Sequence, residues 1–180
     1  MIYSHDFGIS TEEYEALGKE NEFPVFEICL NCKAWGEIHR HGFYWRNKIS
    51  KEEGIKIPIC RYKCTSCKKT ITVLPDFLIP YFQHTIHTIL HIIQQTLEKK
   101  QIQTISRQLT RFYLKRFLQN KNWVHSFFAD QGVVIKRDSE DKKGAIKYLK
   151  MIQDFGESTF LRRSWGHLSK YFMAHLFYHV

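Results

Sequence analysis

Two pairs of cysteines are the residues of this sequence whose type and spacing point most directly to chemistry. Cys29 and Cys32 form one Cys-x2-Cys pair, and Cys64 and Cys67 form a second pair after 31 intervening residues. Four thiolates from two such pairs complete a tetrahedral shell around one Zn²⁺, and this closed shell leaves no position for a substrate. The spacing therefore predicts one structural Zn²⁺ that stabilises the fold and does not catalyse.

Three further residues compete for this metal. Cys60 lies four positions before Cys64, but strand alternation is expected to turn its side chain away from the face that carries the neighbouring isoleucines, so we interpret it as a thiol outside the site. His39 and His41 share one face of the first predicted strand, and either is an alternative ligand because shells of three cysteines and one histidine also bind zinc. A redox dithiol is the remaining alternative, but it is expected beside a βαβ unit, which the sequence lacks.

The segment between the cysteine pairs has the pattern of β-structure. An aromatic run over residues 37–46 leads into a polar turn, and a strand with isoleucine at every second position follows. A third strand is expected over residues 70–74. Cysteine turn, hairpin, cysteine turn and strand is the arrangement of a zinc ribbon, which we expect over residues 29–80.

The hydrophobic period changes from two to 3.6 residues after Tyr81, which predicts helices. A long helix is followed by a short one over residues 102–109, and after an interruption at Thr110 a third helix begins at Arg111. This order predicts a helix-turn-helix bundle over residues 81–130. The expected fold class is therefore α+β, with a small N-terminal β zinc ribbon followed by an all-α helix-turn-helix bundle.

The two ends of the chain carry fewer signals. Residues 1–28 hold seven acids and one base, and we expect an acidic N-terminal arm that is either flexible or shields part of the basic surface. Residues 131–180 begin with a mixed-charge loop and continue with amphipathic helices over 145–155 and 160–178. The aromatic stripe of the last helix predicts packing on the bundle or self-association into a homodimer.

The distribution of charge favours a polyanionic partner. The formal net charge is +9, and it divides into −6 over residues 1–28 and +15 over residues 29–180. Neutralising phosphates releases condensed counterions, so we expect double-stranded DNA as the partner; a basic protein without such a partner is the plainer alternative. The sequence shows no secretory signal and no long apolar run, which predicts a cytoplasmic protein without membrane association.

Two groups of side chains are candidate DNA contacts. No acidic residue occurs from Lys99 to Ala129, although this stretch contains seven bases. Phosphate and base contacts are expected from five of them: Arg107, Arg111, Lys115, Arg116 and Lys121. A second contact surface is expected on the ribbon, formed by His41, Tyr44 and Arg46.

The stretch from Cys29 to about Phe128 resembles a family of uncharacterised bacterial zinc-ribbon and helix-turn-helix proteins linked to insertion-sequence transposases. Four segments carry the resemblance: Cys29-Leu-Asn-Cys32, Arg40-His-Gly-Phe-Tyr-Trp-Arg-Asn47, Ile57-Pro-Ile-Cys-Arg-Tyr-Lys-Cys-Thr-Ser-Cys-Lys-Lys-Thr70 and Leu74-Pro-Asp-Phe-Leu-Ile-Pro-Tyr81. The resemblance implies a DNA-end recognition module in which Cys29, Cys32, Cys64 and Cys67 hold the zinc.

The cysteine turns of this chain depart from the commoner sequence of such turns, which has glycine after the second cysteine. Lys33 and Lys68 take those places. A non-glycine residue in a left-handed turn costs on the order of 1 kcal/mol, which is small beside the free energy of metal binding. We therefore expect both turns to form around the metal.

Catalytic machinery is missing from the sequence. A transposase needs acidic residues that hold two metal ions for phosphoryl transfer, and residues 131–180 are too few for such a domain. We therefore expect a non-enzymatic DNA-binding protein, either a transposase-like recognition module or a regulator. The alternatives are an adaptor that docks on a separate transposase or polymerase, and a truncated transposase remnant.

Overall fold

The computed structural model describes residues 1–50, 53–99, 105–135 and 141–174 of the chain. The described part combines a four-stranded sheet with five α-helices. In chain order the elements are β1 (Ile2–His5), α1 (Thr11–Leu17), a 3-10 helix (Gly18–Glu20), β2 (Ile38–Ser50), β3 (Glu53–Cys64), β4 (Thr70–Pro75), α2 (Ile86–Leu97), α3 (Arg107–Asp130), α4 (Asp141–Phe155), α5 (Glu157–Arg163) and a second 3-10 helix (His167–Ser169).

The sheet is mixed and has the strand order β1-β4-β3-β2. β2 and β3 form a long antiparallel hairpin, β4 pairs antiparallel with β3, and β1 pairs parallel with β4. A bulge between Arg40 and Gly42 shifts the register of the hairpin by one residue near the cysteine end. Because side chains alternate along strands, the sheet has two distinct faces.

The N-terminal segment covers one of these faces. Ser10 caps α1 through a capping box with Glu13, and Tyr14 of α1 is fully buried and donates a hydrogen bond from its hydroxyl to the carbonyl of Pro58 in β3 (2.8 Å). Edge-to-face ring contacts join this segment to the sheet through Phe23–Phe43 and Phe26–Tyr62, and to the turn after β4 through Tyr14–Phe77. Residues 1–28 therefore share a hydrophobic core with β3 and β4.

The opposite face of the sheet is only partly covered, and we call it the open face. Register pairs place the following side chains of the four strands on it: Ile2, Ser4, His39, Tyr44, Arg46, Ile57, Ile59, Arg61, Lys63, Thr70, Thr72 and Leu74. Ile57, Ile59 and Leu74 are buried, whereas the residues nearer the cysteines are half-buried or exposed.

The helices that follow the sheet form a second core. α2 is capped by Thr85 and buries the apolar positions predicted from its period, including Ile86, Ile89 and Ile93. This core also contains aromatic side chains of α3 and residues of α4 and α5. Within the described residues, no helix combines the length and the apolar character needed to cross a membrane.

The predicted fold, a small zinc ribbon followed by an all-α helix-turn-helix bundle, is wrong. A four-stranded mixed sheet occupies the middle of the chain and helices follow it, and β1, which precedes the cysteines, forms one edge of that sheet. The error has a physical cause, since local periodicity contains no information on the pairing of β1 with the distant β4.

The predicted short helix over residues 102–109 and the interruption at Thr110 are also absent from the described residues. Ser106 caps one continuous helix of 24 residues, α3. Thr110 is accommodated inside it because its hydroxyl donates to the carbonyl of Ser106 (3.2 Å), the back-bonding that threonine makes in helices. Residues 101–104 lie outside the described residues.

The predicted helix over residues 160–178 is shorter than expected. α5 ends at Arg163, and Gly166 follows with a left-handed φ of 76°, which turns the chain out of the helix. Phe172 and Met173 then return to the helical core, where both are buried. The end of the predicted helix, 175–178, lies outside the described residues.

One polar contact joins the end of β4 to α5. Asp76 is 7% exposed, and Arg162 of α5 lies 3.6 Å from its carboxylate and also pairs with Asp6. Burial raises the pKa of Asp76 to about 6, and a hydrogen bond from its own backbone N–H opposes this shift without cancelling it.

The substitution Tyr14→Phe tests whether the N-terminal segment belongs to the core. Removing the hydroxyl leaves the buried carbonyl of Pro58 without its partner, so we expect a loss of about 1–2 kcal/mol in the free energy of unfolding. Urea denaturation followed by circular dichroism measures it. Tyr3→Phe, on a half-buried ring of β1, is the control, and equal small effects of both substitutions would contradict the packing described.

The substitution Asp76→Asn has an effect on stability that depends on pH. Because the pKa is raised from 3.8 to about 6, the folded state binds the proton more tightly than the unfolded state, and this contribution to stability is lost as pH rises through about 6. The stability of Asp76→Asn relative to the parent protein should therefore increase between about pH 5 and about pH 7. Urea denaturation at each pH measures the difference in stability between the two proteins, and contributions that both proteins share cancel in that difference. A decrease in the relative stability of Asp76→Asn over this pH range would contradict the prediction.

Candidate metal centre

The two cysteine pairs lie in turns of the same construction. The backbone N–H of Cys29 donates to the carbonyl of Ala34 (2.9 Å), and the N–H of Cys64 donates to the carbonyl of Lys69 (3.0 Å), five residues on in each case. Lys33 and Lys68 follow the second cysteine of each pair and have φ values of 63° and 60°. Both lysines therefore accept the left-handed conformation that glycine usually supplies in such turns.

The register of the hairpin brings the two turns together. Cys64 is the last residue of β3 and pairs with Ile38 at the start of β2, so the second turn begins where the hairpin ends. The first turn is attached through Glu37, whose carbonyl accepts the backbone N–H of Thr65 (2.8 Å) and whose carboxylate accepts the hydroxyl of the same threonine. These contacts position each turn against the other.

The four sulfur atoms form a compact group. The Sγ atoms of Cys29 and Cys67 are 3.7 Å apart, those of Cys32 and Cys64 are also 3.7 Å apart, and all four lie within 4.8 Å of one another. A tetrahedral zinc with Zn–S bonds of about 2.3 Å places its sulfur ligands about 3.8 Å apart. The predicted clustering of the four cysteines is confirmed, and its dimensions fit a tetrahedral metal ion.

Backbone amides tune the acidity of these thiols. The backbone N–H of Cys32 lowers the pKa of Cys29 to about 6, and that of Lys69 lowers the pKa of Cys67. At Cys32, the N–H of Ala34 also acts to lower the pKa, but burial and the three neighbouring thiols outweigh it and raise the pKa to about 11. Four thiolates this close repel one another, so full ionisation of the group requires a bound cation.

The other proposed ligands lie outside this group. Within the described ranges, the four cysteines are the one set of three or more histidine, cysteine or acidic side chains close enough to share a metal ion. Cys60 is fully buried on the face covered by the N-terminal segment, where burial raises its pKa. His39 and His41 are exposed, and the bulge between Arg40 and Gly42 interrupts the alternation that would have placed both on one face.

The basic candidates on α3 divide into two sets. Arg107, Arg111 and Lys115 are exposed and follow one another at intervals of four residues, so they form a line along one side of the helix. Arg116 lies on another side, where its guanidinium donates to the carbonyl of Met173 (3.2 Å) and covers the ring of Phe112. Lys121 is half-buried.

The three candidates on β2 also differ in their surroundings. The guanidinium of Arg46 donates to the carbonyls of Ile79 (2.8 Å) and Phe82 (2.5 Å), and burial lowers its pKa. Tyr44 is half-buried and lies on the open face, whereas His41 is exposed at the bulge. Arg46 thus fixes the turn after β4, while the other two remain accessible.

Two bases and one aromatic residue near these candidates were missed by sequence reasoning. Arg61 and Lys63 lie on the open face. Because the two residues are two positions apart in a strand, their spacing is a sequence signal that could have indicated a shared basic face. Tyr81 is 83% exposed with a left-handed φ of 69°. No sequence signal indicates that conformation, because tyrosine rarely adopts it.

Comparison with known protein families matches part of the chain. Residues 29–112 match the family described as "Domain of unknown function (DUF6431)". No curated protein and no solved structure matches the chain significantly. The matched segment begins at the first cysteine of the cluster and ends within α3, so it contains both cysteine pairs, the hairpin, β4 and α2.

The substitutions Cys64→Ser and Cys60→Ala separate the metal ligands from the buried thiol. We expect the parent protein and Cys60→Ala to bind one Co²⁺ per chain with the intense visible bands of tetrahedral thiolate coordination. Cys64→Ser should lose those bands and its cooperative unfolding, because it removes one ligand of the cluster.

Cobalt titration followed by visible absorption, with circular dichroism of the same samples, makes this comparison. Two results would contradict the assignment: a normal cobalt spectrum of Cys64→Ser, or a loss of cobalt binding by Cys60→Ala.

Proposed function

We propose that this protein is a non-enzymatic, zinc-stabilised protein that binds double-stranded DNA through the exposed basic side of α3. The observation that carries the proposal is the line of Arg107, Arg111 and Lys115, all exposed and without an acidic residue on the same helix before Asp130. The proposal contains no helix-turn-helix, since α3 is one continuous helix. Association with a transposase remains a prediction from the resemblance described above.

Zinc is the metal proposed for the cysteine cluster. Four sulfur ligands favour zinc among the common structural metals, and the sulfur separations of 3.7 Å suit its tetrahedral radius. Zinc bound there would have no open coordination position, so its contribution is to the stability of the cysteine end of the hairpin. Cys29, Cys32, Cys64 and Cys67 would each supply one thiolate.

The dimensions and electrostatics of α3 suit a phosphate backbone. Arg107 to Lys115 spans about 12 Å along the helix, the length of between three and four base-pair steps of about 3.4 Å. The first turn of α3 after Ser106 contains no acidic residue, so the positive end of the helix dipole adds to the charge of Arg107. A row of this kind favours contacts to phosphates over contacts to a neutral surface.

The adaptor alternative depended on an accessible aromatic C-terminal region. In the described residues this region is largely internal: Phe172 and Met173 are buried, and Trp165 packs against the core of the sheet and contacts Tyr171. A docking surface built from these side chains would require them to leave the core. The exposed bases of α3 require no rearrangement, which is why DNA binding is preferred.

The double variant Arg111→Glu with Lys115→Glu tests the proposed DNA surface. We expect its affinity for a duplex of about 20 base pairs to fall by more than about tenfold at moderate salt, and the slope of log affinity against log salt to become shallower by about two. Fluorescence anisotropy over a series of salt concentrations measures both quantities.

A matched control changes the same amount of charge elsewhere. Lys142 and Lys150 are exposed on α4, and Lys142→Glu with Lys150→Glu alters the net charge as the test variant does. If duplex affinity depends only on total charge, both double variants will weaken it equally, which would contradict the assignment of the surface to α3. A parent protein that binds no duplex at any salt concentration would contradict the function itself.

A further inference from the structure

One half of the open face lies nearer the cysteines. The strand side chains that the register places on this half are basic, hydroxyl-bearing, aromatic or apolar, and none of them is a carboxylate. From β2 to β1 these side chains are His39, Tyr44, Lys63, Arg61, Thr70, Thr72 and Ile2. Glu37 precedes β2, and its carboxylate is engaged with Thr65. This half of the sheet is therefore suited in charge to an anionic ligand.

Arg61 occupies the middle of this surface and has no acidic partner in the described part of the chain. Its guanidinium lies 5.6 Å from the centre of the Tyr44 ring, and its buried Nε has no hydrogen-bond partner there. Gly42 faces Arg61 across the hairpin, and a Cβ built on that glycine would meet nothing within 4 Å. The guanidinium of Arg61, stacked on the ring of Tyr44, therefore has open space beside it.

A cavity of about 440 Å³ lies at the edge of this surface. Ile2, Tyr44 and Thr72 line it from the sheet, and Tyr81 and Phe82 line it from the turn after β4. Its volume accommodates a planar aromatic ligand of the size of a nucleobase. Its lining is mostly aromatic and apolar, with the guanidinium of Arg46 and a few hydroxyl and amide groups, as in sites that bind such ligands.

Tyr81 is held in place at the mouth of this cavity. Arg46 donates to the carbonyls of Ile79 and Phe82, which flank Tyr81, so the turn is fixed to β2. The ring remains 83% exposed, and the backbone at this residue is left-handed (φ 69°), which is a strained conformation for a non-glycine residue. An exposed aromatic ring on a fixed turn is pre-organised for stacking.

We propose that the open face binds an unpaired stretch of nucleic acid, with one base stacked on Tyr81 at the cavity and the adjoining phosphates on Arg61 and Lys63. Aromatic rings that stack on bases beside a positively charged track are the common features of single-strand binding sites. In a duplex the neighbouring base pairs cover both faces of each internal base, so Tyr81 selects unpaired bases.

This inference rests on the proposed function only in taking nucleic acid as the partner, since its residues are separate from those of α3. Other occupants fit the surface less well. The absence of carboxylates on this half of the face disfavours a basic peptide, and the partly exposed Arg61, Lys63, Thr70 and Thr72 disfavour an apolar protein surface. An unpaired strand uses the cations, the hydroxyls and the exposed ring together.

The experiment uses the full-length, zinc-loaded protein and fluorescently labelled single strands of mixed sequence, one of DNA and one of RNA, with the duplex of the same DNA sequence. Tyr81→Asn removes the ring, and asparagine tolerates the left-handed backbone. We expect this variant to lose about tenfold in affinity for the single strand and less than about twofold for the duplex. Tyr81→Phe, which keeps the ring, should retain single-strand affinity.

Matched controls lie on the opposite face of the same hairpin. Trp45 is 56% exposed on the face covered by the N-terminal segment, and Trp45→Ala should leave single-strand affinity unchanged. Lys63→Ala should weaken single-strand binding by about threefold to tenfold, whereas Lys56→Ala, which removes an exposed lysine from the opposite face, should not. Circular dichroism establishes that each variant is folded before its affinity is compared.

The outcomes separate this inference from the proposed function. Single-strand binding that depends on Tyr81 and Lys63 but is insensitive to the double variant of α3 supports the inference, and a preference for DNA or RNA identifies the source of the strand. No single-strand binding by the parent protein, or equal losses from Trp45→Ala and Tyr81→Asn, overturns it. Duplex binding that depends on α3 without single-strand binding overturns the inference alone and leaves the proposed function standing.

Discussion

The antiparallel pairing of β2 with β3 is the interaction on which the other features of the structure depend. Its register ends at the pair Ile38 and Cys64, which brings the first cysteine turn beside the second, and the same register decides which side chains share a face. A slip of one residue would exchange the two faces and separate the sulfur atoms. The bulge between Arg40 and Gly42 is part of this register, since it leaves Gly42 opposite Arg61.

The two faces of this hairpin are stabilised by different means. On one face, aromatic rings of the N-terminal segment interlock with Phe43 and Tyr62, and the hydroxyl of Tyr14 satisfies a carbonyl of β3. On the other, buried isoleucines occupy the half near the helices, and Arg46 fixes the turn after β4 through two carbonyls. The half near the cysteines has no such cover, so a metal ion held by the cysteine cluster would stabilise the end of the sheet where the hydrophobic core is thinnest. A metal ion is most useful at that position, because little apolar surface is buried there.

The sequence was most informative where a signal is local. The cysteine spacing predicted the cluster, and the departure from glycine at Lys33 and Lys68 correctly marked two residues that adopt left-handed backbone. The apolar period also predicted which side of α2 is buried. Features that depend on distant contacts were not predictable in this way. Nothing in residues 2–5 indicates a partner in β4. Thr110 was predicted to interrupt a helix, but its hydroxyl bonds to the carbonyl of Ser106 and the helix continues through it. The zinc-ribbon interpretation failed for the first of these reasons, because it took a four-stranded sheet to be a small local unit.

The separation of charge within the chain follows from this architecture. The aromatic rings of residues 1–28 pack against one face of the sheet, and two of the acidic side chains of this segment are paired with basic ones, Glu15 with Lys48 and Asp6 with Arg162. The bases of β3 on the opposite face, Arg61 and Lys63, therefore face away from the acidic segment. Had residues 1–28 been a flexible acidic arm, they would compete with any polyanion for those bases. Packed as they are, they stabilise the sheet and leave its basic face accessible, which reconciles an acidic N-terminus with a body of net charge +15.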